Sequence, residues 1–461
     1  MPSVTFAQFD GVDLRKGHAV TSPNHLRVAD NARITTGKAL ASRPGLALAA
    51  ELPADAISLW SGLGALNVFS TVPIAGLSTP FINRLVPHPN GGVALADVHF
   101  ADVFNGALYV VAEYANADVF HHFLDDSAPE VILDSNNPRS AAVAIAAGKV
   151  FAVGPDDTVR FSATNRASDW SAVDDAGFLP SGLQANGDPQ PLALGHHRGR
   201  LAVIQRDSVQ TWQVDPDPAK HQFIEEVDNI GTAYPRTVHR VAGDLFFLSD
   251  YGVRSVSQQQ VTQSLQETDI GSPVDEDIKA VLAASSAEPI AIYYHGLGQY
   301  VLAIGPQVFA YTYSRTAKIS AWSRYTLPGD VTAMAELNGE LYLRAGNAVY
   351  RFDESSGADV GEPMTTRIVT AYLDFKKPSR LKHLTGFDAV MQGGAQVSFL
   401  YDERDEARKT DPMYVDGITH PGALYPVDVL CTAVAVEFRH QDVTPFRLDS
   451  FTLHYEELGT V

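Results

Sequence analysis

The sequence is poor in cysteine and in basic charge, and it has no long apolar run. Its 461 residues include one cysteine, Cys431, so no disulfide can form within the chain. No apolar stretch reaches membrane-spanning length, and the N-terminal residues lack the basic start and apolar core of a secretory leader. We therefore expect a globular protein of two or three domains that does not associate with a membrane.

Sequence motifs of common catalytic and cofactor sites are also absent. There is no phosphate-binding loop, dinucleotide fingerprint, nucleophile elbow or zinc motif. Cys431 lies in an apolar run that is typical of a core strand. His121-His122 and His196-His197 are adjacent pairs, and neighbours in a strand point to opposite faces, so each pair is poorly placed to share one metal. We expect ordinary surface or loop histidines, no cofactor, no metal and no enzymatic activity.

Three acidic pairs and one tryptophan are the remaining candidates for a binding site. The acidic pairs fall in turn-rich stretches, where aspartate commonly shapes the backbone; they are Asp125-Asp126, Asp156-Asp157 and Asp174-Asp175. Calcium at such a corner, or two glycosidase carboxylates in a cleft, is the alternative. Trp212 lies in a strand-like run and indicates packing. Trp170 lies in the irregular stretch 161–191, which makes it the better candidate for a loop contact.

The charge is strongly acidic and unevenly distributed. The formal net charge is −20, from 54 acidic and 34 basic residues. Residues 1–60 hold 5 acidic and 6 basic residues, residues 362–461 hold 15 and 10, and the stretch between them holds 34 and 18. Because binding to phosphates needs clustered lysine and arginine, this composition excludes nucleic-acid binding through the middle of the chain.

A glycine-led unit recurs along the chain. Each copy has a glycine, an apolar run, a polar corner and a second apolar run, as in residues 199–215. The glycines lie 41 to 55 residues apart and are Gly64, Gly106, Gly148, Gly199, Gly243, Gly298 and Gly339. In five copies the return strand begins 10 or 11 residues after the glycine, at Val159, Val209, Val253, Val308 and Val349.

This period, with about four strands to a unit, predicts an all-β fold built on a β-propeller. Seven copies predict seven blades, or six if the first copy is not a blade. Blades stack face to face, which explains apolar runs without alternation, such as residues 245–248. A series of unrelated hairpins in sandwich domains is the alternative.

The pattern divides the chain into three parts. Residues 1–50 form an extended arm that either docks on a partner or closes the propeller ring. Residues 51–361 form the propeller, with one helix capped by Ser272, begun by Pro273 and lying against the outside of a blade. In residues 362–461 the glycine repeat stops, and five strand-like runs predict a separate β-sandwich.

Several short motifs follow one another along the chain in this order: Phe9-Asp10-Gly11-Val12-Asp13, Asn31-Ala32-Arg33, Arg43-Pro44-Gly45, Asp169-Trp170-Ser171, Asn229-Ile230-Gly231-Thr232, Ser249-Asp250-Tyr251-Gly252-Val253-Arg254 and Pro273-Val274-Asp275. Their order resembles that of tail nozzle (tail tubular B) and packaged-DNA stabilisation proteins of short-tailed bacteriophages. The resemblance covers about residues 6–285 and depends on the order of the motifs. The chain length is closer to the shorter, stabilisation-type members.

The resemblance implies a structural virion protein of the phage tail, assembled in the host cytoplasm. Such proteins form a homohexameric ring below the portal and adaptor, extend the DNA channel, retain packaged DNA before ejection, and anchor fibres, spikes or a needle. DNA would pass an acidic wall without specific binding, since screening confines the repulsion to about 8 Å. The near-neutral arm would supply the head-side contacts, through Arg15, Lys16, Arg27, Arg33, Lys38 and Arg43.

The sequence is also compatible with two other functions. One is a propeller-plus-sandwich carbohydrate-binding protein or glycosidase, in which Trp170 would contact the glycan. The other is a host-side scaffold that presents propeller loops to protein partners. Hydrolysis or glycan binding would mark the first, and a stable monomer that does not assemble on particles would mark the second.

Overall fold

The computed structural model describes residues 2–17, 21–125, 129–257, 269–416 and 424–460, and shows an all-β protein. A seven-bladed β-propeller is joined to a two-sheet C-terminal sandwich. The innermost strands of successive blades contact one another around the axis, and the first and last also touch. The ring is therefore closed, and the predicted propeller is confirmed with seven blades.

The strands are numbered in chain order. Blade 1 contains β6 (Ser58–Gly62), β7 (Ala65–Ser70) and β8 (Phe81–Leu85). Blade 2 contains β9 (Leu95–Phe104), β10 (Ala107–Tyr114), β11 (Val119–Leu124) and β12 (Pro129–Val131). Blade 3 contains β13 (Val143–Ala146), β14 (Lys149–Val153), β15 (Val159–Phe161) and β16 (Gly177–Leu179). Blade 4 contains β17 (Ala193–His197), β18 (Arg200–Ile204), β19 (Ser208–Gln213) and β20 (Gln222–Asp228).

The remaining blades include strands from distant parts of the chain. Blade 5 contains β21 (His239–Val241), β22 (Asp244–Ser249) and β23 (Gly252–Ser255). Blade 6 contains β24 (Ile290–Tyr294), β25 (Gln299–Ile304), β26 (Gln307–Ser314) and β27 (Ile319–Thr326). Blade 7 contains β28 (Val331–Leu337), β29 (Glu340–Ala345), β30 (Ala348–Asp353) and β5 (Gly45–Glu51), with β31 (Ala358–Asp359) and β32 (Glu362–Pro363) at its edge.

The sandwich consists of two sheets that draw strands from both ends of the chain. One sheet contains β1 (Ser3–Phe6), β3 (Ala32–Ile34), β4 (Leu40–Ser42), β34 (Arg380–Gln392), β37 (Tyr425–Cys431) and β39 (Arg447–Thr460). The other contains β2 (Leu26–Asp30), β33 (Thr365–Thr370), β38 (Ala435–Gln441), β35 (Ala395–Leu400) and β36 (Met413–Val415). Phe387 of the first sheet packs edge-on against Phe399 of the second, with 5.6 Å between ring centroids.

The repeated glycines occupy the same place in every blade, the turn between the innermost strand and the second strand. All seven have positive φ angles, between 61° and 89°. In six of the seven turns the preceding residue also has positive φ, as in Asn105-Gly106 and Arg198-Gly199. A type I′ hairpin turn requires positive φ at both central residues, so glycine is the favoured second residue.

Apolar runs without alternation arise because each blade is buried on both faces. In blade 5, Leu245 and Phe247 pack toward blade 4, while Phe246 and Leu248 join the core on the opposite face. Separate apolar clusters also fill the gaps between the other neighbouring blades. A strand between two such clusters has no solvent face, so its polar alternation disappears.

The predicted helix is present but begins differently. Helix α1 (Asp275–Ala284) packs against β23, on the outer side of blade 5. Its N-cap is Val274, and the hydroxyl of Ser272 donates to the carbonyl of Asp269 at 2.8 Å, so the predicted Ser272 cap is wrong. The Ser272 hydroxyl therefore stabilises a turn in the loop before the helix and does not cap the helix.

The N-terminal arm is extended, as expected, but it is built into the sheets. Strand β2 lies between β27 of blade 6 and β33 of the sandwich, giving one nine-stranded sheet that runs from the propeller into the sandwich. Strand β5 pairs with β30 and completes blade 7, which matches the ring-closing alternative. Removing residues 1–50 would therefore remove strands from both folded parts.

Candidate functional site

Arg43, one of the six predicted contact residues, is buried at the junction of the arm and blade 7. Its guanidinium donates two hydrogen bonds to the carboxylate of Asp359, at 2.9 and 2.5 Å. It also donates to the Asn31 side chain at 3.0 Å and to the carbonyls of Pro44 and Thr326 at 2.9 and 3.1 Å. Its side chain is 0% exposed. The prediction of an intermolecular contact is wrong for Arg43, because every donor direction is used within the chain.

Four more of the six basic residues form ion pairs within the chain. The pairs are Arg27–Glu406 at 2.7 Å, Arg33–Glu354 at 2.7 Å, Lys38–Asp10 at 3.1 Å and Arg15–Asp13 at 2.8 Å. Arg27 and Arg33 are largely buried, whereas the side chain of Arg15 keeps 40% exposure. Lys16 is exposed. Only Arg15 and Lys16 of the predicted set thus offer much of their side chains to a partner.

Trp170 lies in the loop after β15, as the sequence indicates, but its ring is buried. The side chain is 3% exposed and packs in the apolar cluster between blades 2 and 3. Its indole N–H donates to the carbonyl of Ala167 at 3.0 Å, and its backbone N–H donates to Asp134 at 2.9 Å. The expectation of a loop contact is therefore wrong, because the loop folds back and anchors itself through this residue.

The histidine pair of blade 2 lies in a strand, not on the surface. His121 and His122 point to opposite faces of β11, and both are fully buried. His121 bonds to the Tyr109 hydroxyl at 2.6 Å, and His122 bonds to the Tyr114 hydroxyl at 2.8 Å. Burial lowers the pKa of His121 to about 4 and that of His122 to about 3. The second pair, His196-His197, also lies in a strand, at the end of β17, and His197 is buried.

The described acidic pairs lie in turns, and the cysteine lies in the core. Asp156-Asp157 and Asp174-Asp175 lie in turns, as predicted, while the pair at 125–126 extends outside the described residues. Asp175 accepts from the buried Lys149 ammonium at 2.6 Å, and this contact, together with hydrogen bonds from Thr164, lowers its pKa to about 2 against the opposing effect of burial. Cys431 is buried in β37, and burial raises the pKa of its thiol to about 11. Among the described residues, no group of three histidine, cysteine or acidic side chains is arranged to hold a metal ion.

A cavity of about 460 Å³ lies on the propeller axis, lined by residues from or next to the innermost strands of all seven blades. We call it the axial cavity. Its walls are mostly apolar, with Trp60 from blade 1, Phe100 from blade 2 and Met334 from blade 7. Its polar lining includes Asp102 and Arg236. This volume falls within the range of small-molecule sites, about 300 to 1,000 Å³.

One arginine bridges the axis. Arg236 lies just before the innermost strand of blade 5, and its guanidinium contacts Asp97 of blade 2 at 2.7 Å. It also contacts Glu288, before the innermost strand of blade 6, at 3.2 Å and the carbonyl of Thr332 in blade 7 at 3.5 Å. Blades 2 and 5 stand nearly opposite in a ring of seven, so this side chain crosses the axial cavity. The sequence gives no sign of it, because the partners lie 52 to 139 residues away.

Two other ionisable groups of the axial cavity have shifted pKa values. The Asp102 side chain accepts from the Val103 backbone N–H at 2.7 Å, but crowding by protein atoms desolvates the carboxylate and raises its pKa. Burial lowers the pKa of His239 to about 4, so this imidazole is neutral near pH 7. His99 bonds to Glu113 at 2.5 Å.

We expect the Arg236 bridge to contribute modestly to stability. Arg236→Gln should lower the free energy of unfolding by about 1–2 kcal/mol, because it leaves the carboxylates of Asp97 and Glu288, which are 29% and 49% exposed, without their cation. Urea unfolding measures the change. Arg206→Gln is the control: Arg206 pairs with Asp250 across blades 4 and 5, but both are at least 40% exposed, so the expected loss is under about 0.5 kcal/mol. Equal losses in both variants would contradict a special role for the bridge.

No helix in the described ranges has the length and apolar content to cross a bilayer. No protein-family model matches the chain, and no curated protein matches it. Similar solved structures include the WD40 β-propeller domain of Doa1, at 12% identity and a TM-score of 0.39, covering 68% of this chain and 97% of that one. A chain of the mitotic checkpoint complex has 11% identity and a TM-score of 0.38, covering 76% and 91%. BamB from Moraxella catarrhalis has 12% identity and a TM-score of 0.37, covering 68% and 97%. At these identities and scores the likeness extends only to the β-propeller class.

Proposed function

We propose that this chain is a structural virion protein of a short-tailed phage tail, of the nozzle or head-closure hub type. It would form a ring of six copies that extends the DNA channel below the portal and adaptor. The observation that carries the proposal is the ordered set of motifs shared with that family across about residues 6–285.

Several of those motifs lie where two structural elements of this fold pack against each other. Asn31 and Arg43 join the arm to blade 7, and Trp170 fills the space between blades 2 and 3. Arg254 of blade 5 pairs with Asp275 of helix α1 at 2.9 Å. Residues that fix a scaffold support a resemblance in architecture, and none of these five needs a substrate to explain its presence.

The continuous sheet through β27, β2 and β33 suits a building block. It links the propeller to the sandwich through backbone hydrogen bonds instead of a flexible linker. A wall element that carries fibres or a needle benefits from such a rigid connection. DNA would pass through the ring of copies, since a duplex is far wider than the axial cavity of one propeller.

Particle composition tests the proposal directly. Quantitative mass spectrometry and image reconstruction of purified phage particles should show this chain in six copies at the tail. Absence from particles would contradict the proposal. A stable monomer that never assembles would favour the scaffold function, and glycan hydrolysis by the isolated chain would favour the glycosidase.

The head-side contact needs a test that leaves the fold intact. Charge reversal of the two exposed arm residues, Arg15→Glu with Lys16→Glu, should abolish attachment to adaptor-filled heads while leaving the circular dichroism unchanged. Arg408→Glu is a control, because this arginine is 63% exposed in the C-terminal sandwich. Normal attachment of the Arg15/Lys16 variant would exclude these residues as the contact.

A further inference from the structure

The axial cavity holds more negative than positive charge. Two carboxylates line it, those of Asp102 and Glu288, whereas Arg236 is the one arginine or lysine among its described lining residues. Arg236 also contacts the Asp97 carboxylate, which lies outside the lining. His239 in the same wall is neutral near pH 7, because burial holds its pKa at about 4. An excess of carboxylate in a partly enclosed, mostly apolar space attracts a positive charge.

Asp102 is the carboxylate best placed to meet a ligand. Asp102 is exposed and lines the axial cavity, whereas the other lining carboxylate, Glu288, is already paired with Arg236 at 3.2 Å. Protein atoms nevertheless crowd the carboxylate, and the resulting desolvation raises its pKa. A carboxylate that is accessible but poorly solvated gains more from a bound cation than a carboxylate in open water does.

The walls around Asp102 suit the apolar part of a ligand. Trp60 and Phe100 supply aromatic surface, and Ile292 and Met334 supply aliphatic surface. Aromatic faces attract ammonium groups, and apolar walls favour a ligand with a hydrophobic body. We propose that the axial cavity binds a small organic cation, an ammonium group carried on an aromatic or aliphatic body. This inference goes beyond the proposed structural role and does not depend on it.

Three probes of the same shape and different charge test the proposal. Isothermal titration calorimetry on the full chain at pH 7.5 compares benzylamine, benzyl alcohol and benzoate. Benzylamine should bind saturably with one site per chain, and the neutral and anionic probes should bind at least about tenfold more weakly. Equal affinity for the three probes, or no saturable binding of benzylamine, would overturn the proposal.

Asp102→Asn locates the site. The amide oxygen can still accept from the Val103 N–H, so the fold should persist, while benzylamine affinity should fall at least about fivefold. Asp174→Asn is the matched control, because Asp174 is exposed in an outer turn and its positive φ of 63° suits asparagine. Unchanged affinity in Asp102→Asn, or an equal loss in Asp174→Asn, would show that the probe binds elsewhere. The comparison of the three probes on the parent chain tests the proposal even if a variant folds poorly.

Discussion

Replacing Arg43 with methionine is expected to lower the free energy of unfolding by about 3–5 kcal/mol. The variant leaves the Asp359 carboxylate, whose side chain is only 21% exposed, without its bidentate partner. It also removes the donors to the carbonyls of Pro44 and Thr326 and one of the two donors to the Asn31 side-chain oxygen. Urea unfolding followed by tryptophan fluorescence measures the loss.

The matched control is Lys16→Met, which removes a positive charge from the same arm. Lys16 is exposed, so its replacement should change stability by less than about 0.5 kcal/mol. Adding Asp359→Leu to Arg43→Met should recover part of the loss, since the unpaired carboxylate is then gone. If Arg43→Met folds normally and only loses attachment to phage heads, Arg43 is a contact residue after all.

Acidification from pH 8 to pH 5 is expected to destabilise the chain by about 2 kcal/mol for each of three histidines that protein atoms desolvate, about 6 kcal/mol together. The three are His121, His122 and His239, and burial lowers their pKa values to about 4, 3 and 4. In the unfolded chain a histidine binds its proton near pH 6.5. Between pH 6.5 and about 4 the unfolded state therefore binds more protons, and stability falls as the pH falls.

His122→Phe isolates one of the three contributions. Phenylalanine fills a similar space, and the Tyr114 hydroxyl keeps its bond to the Val86 carbonyl at 3.0 Å. The free energy of unfolding, measured from pH 8 to pH 4.5, should then fall less steeply below pH 6.5, by about 1.4 kcal/mol per pH unit. His295→Gln is the control: it removes a histidine that is 74% exposed and leaves His121, His122 and His239 in place. Parallel curves for the parent and His122→Phe would contradict this origin of acid sensitivity.

The repeat was predictable because its cause is local. A type I′ turn needs positive φ at two successive residues, so glycine recurs wherever the innermost strand turns into the second, as at Gly106 and Gly199. The return strands begin at the predicted valine or one residue before it for the same reason, since the hairpin length fixes their offset. The innermost strands themselves were harder to find, because short runs such as residues 143–146 carry little periodicity.

The candidate contacts were less predictable, because exposure depends on partners remote in sequence. Arg43 looks like any arm arginine until Asp359 is brought beside it, 316 residues away. Trp170 sits among turn residues, and only the approach of blade 2 buries its ring. Arg236 and Asp97 belong to blades 5 and 2, and the sequence alone does not show that these blades lie across the axis from each other.

The repeating hairpins, the all-β class and the excess of acidic charge follow from the amino-acid sequence, because turn geometry and apolar runs involve only a few neighbouring residues and composition needs no fold. The folded structure is needed to see which end of the chain closes the ring, which charges are buried and where the axial cavity lies. Those features depend on residues that are hundreds of positions apart in the chain and adjacent only after folding. Burial and the loss of surrounding water then set the pKa values of the ionisable side chains and decide which of them a partner can reach.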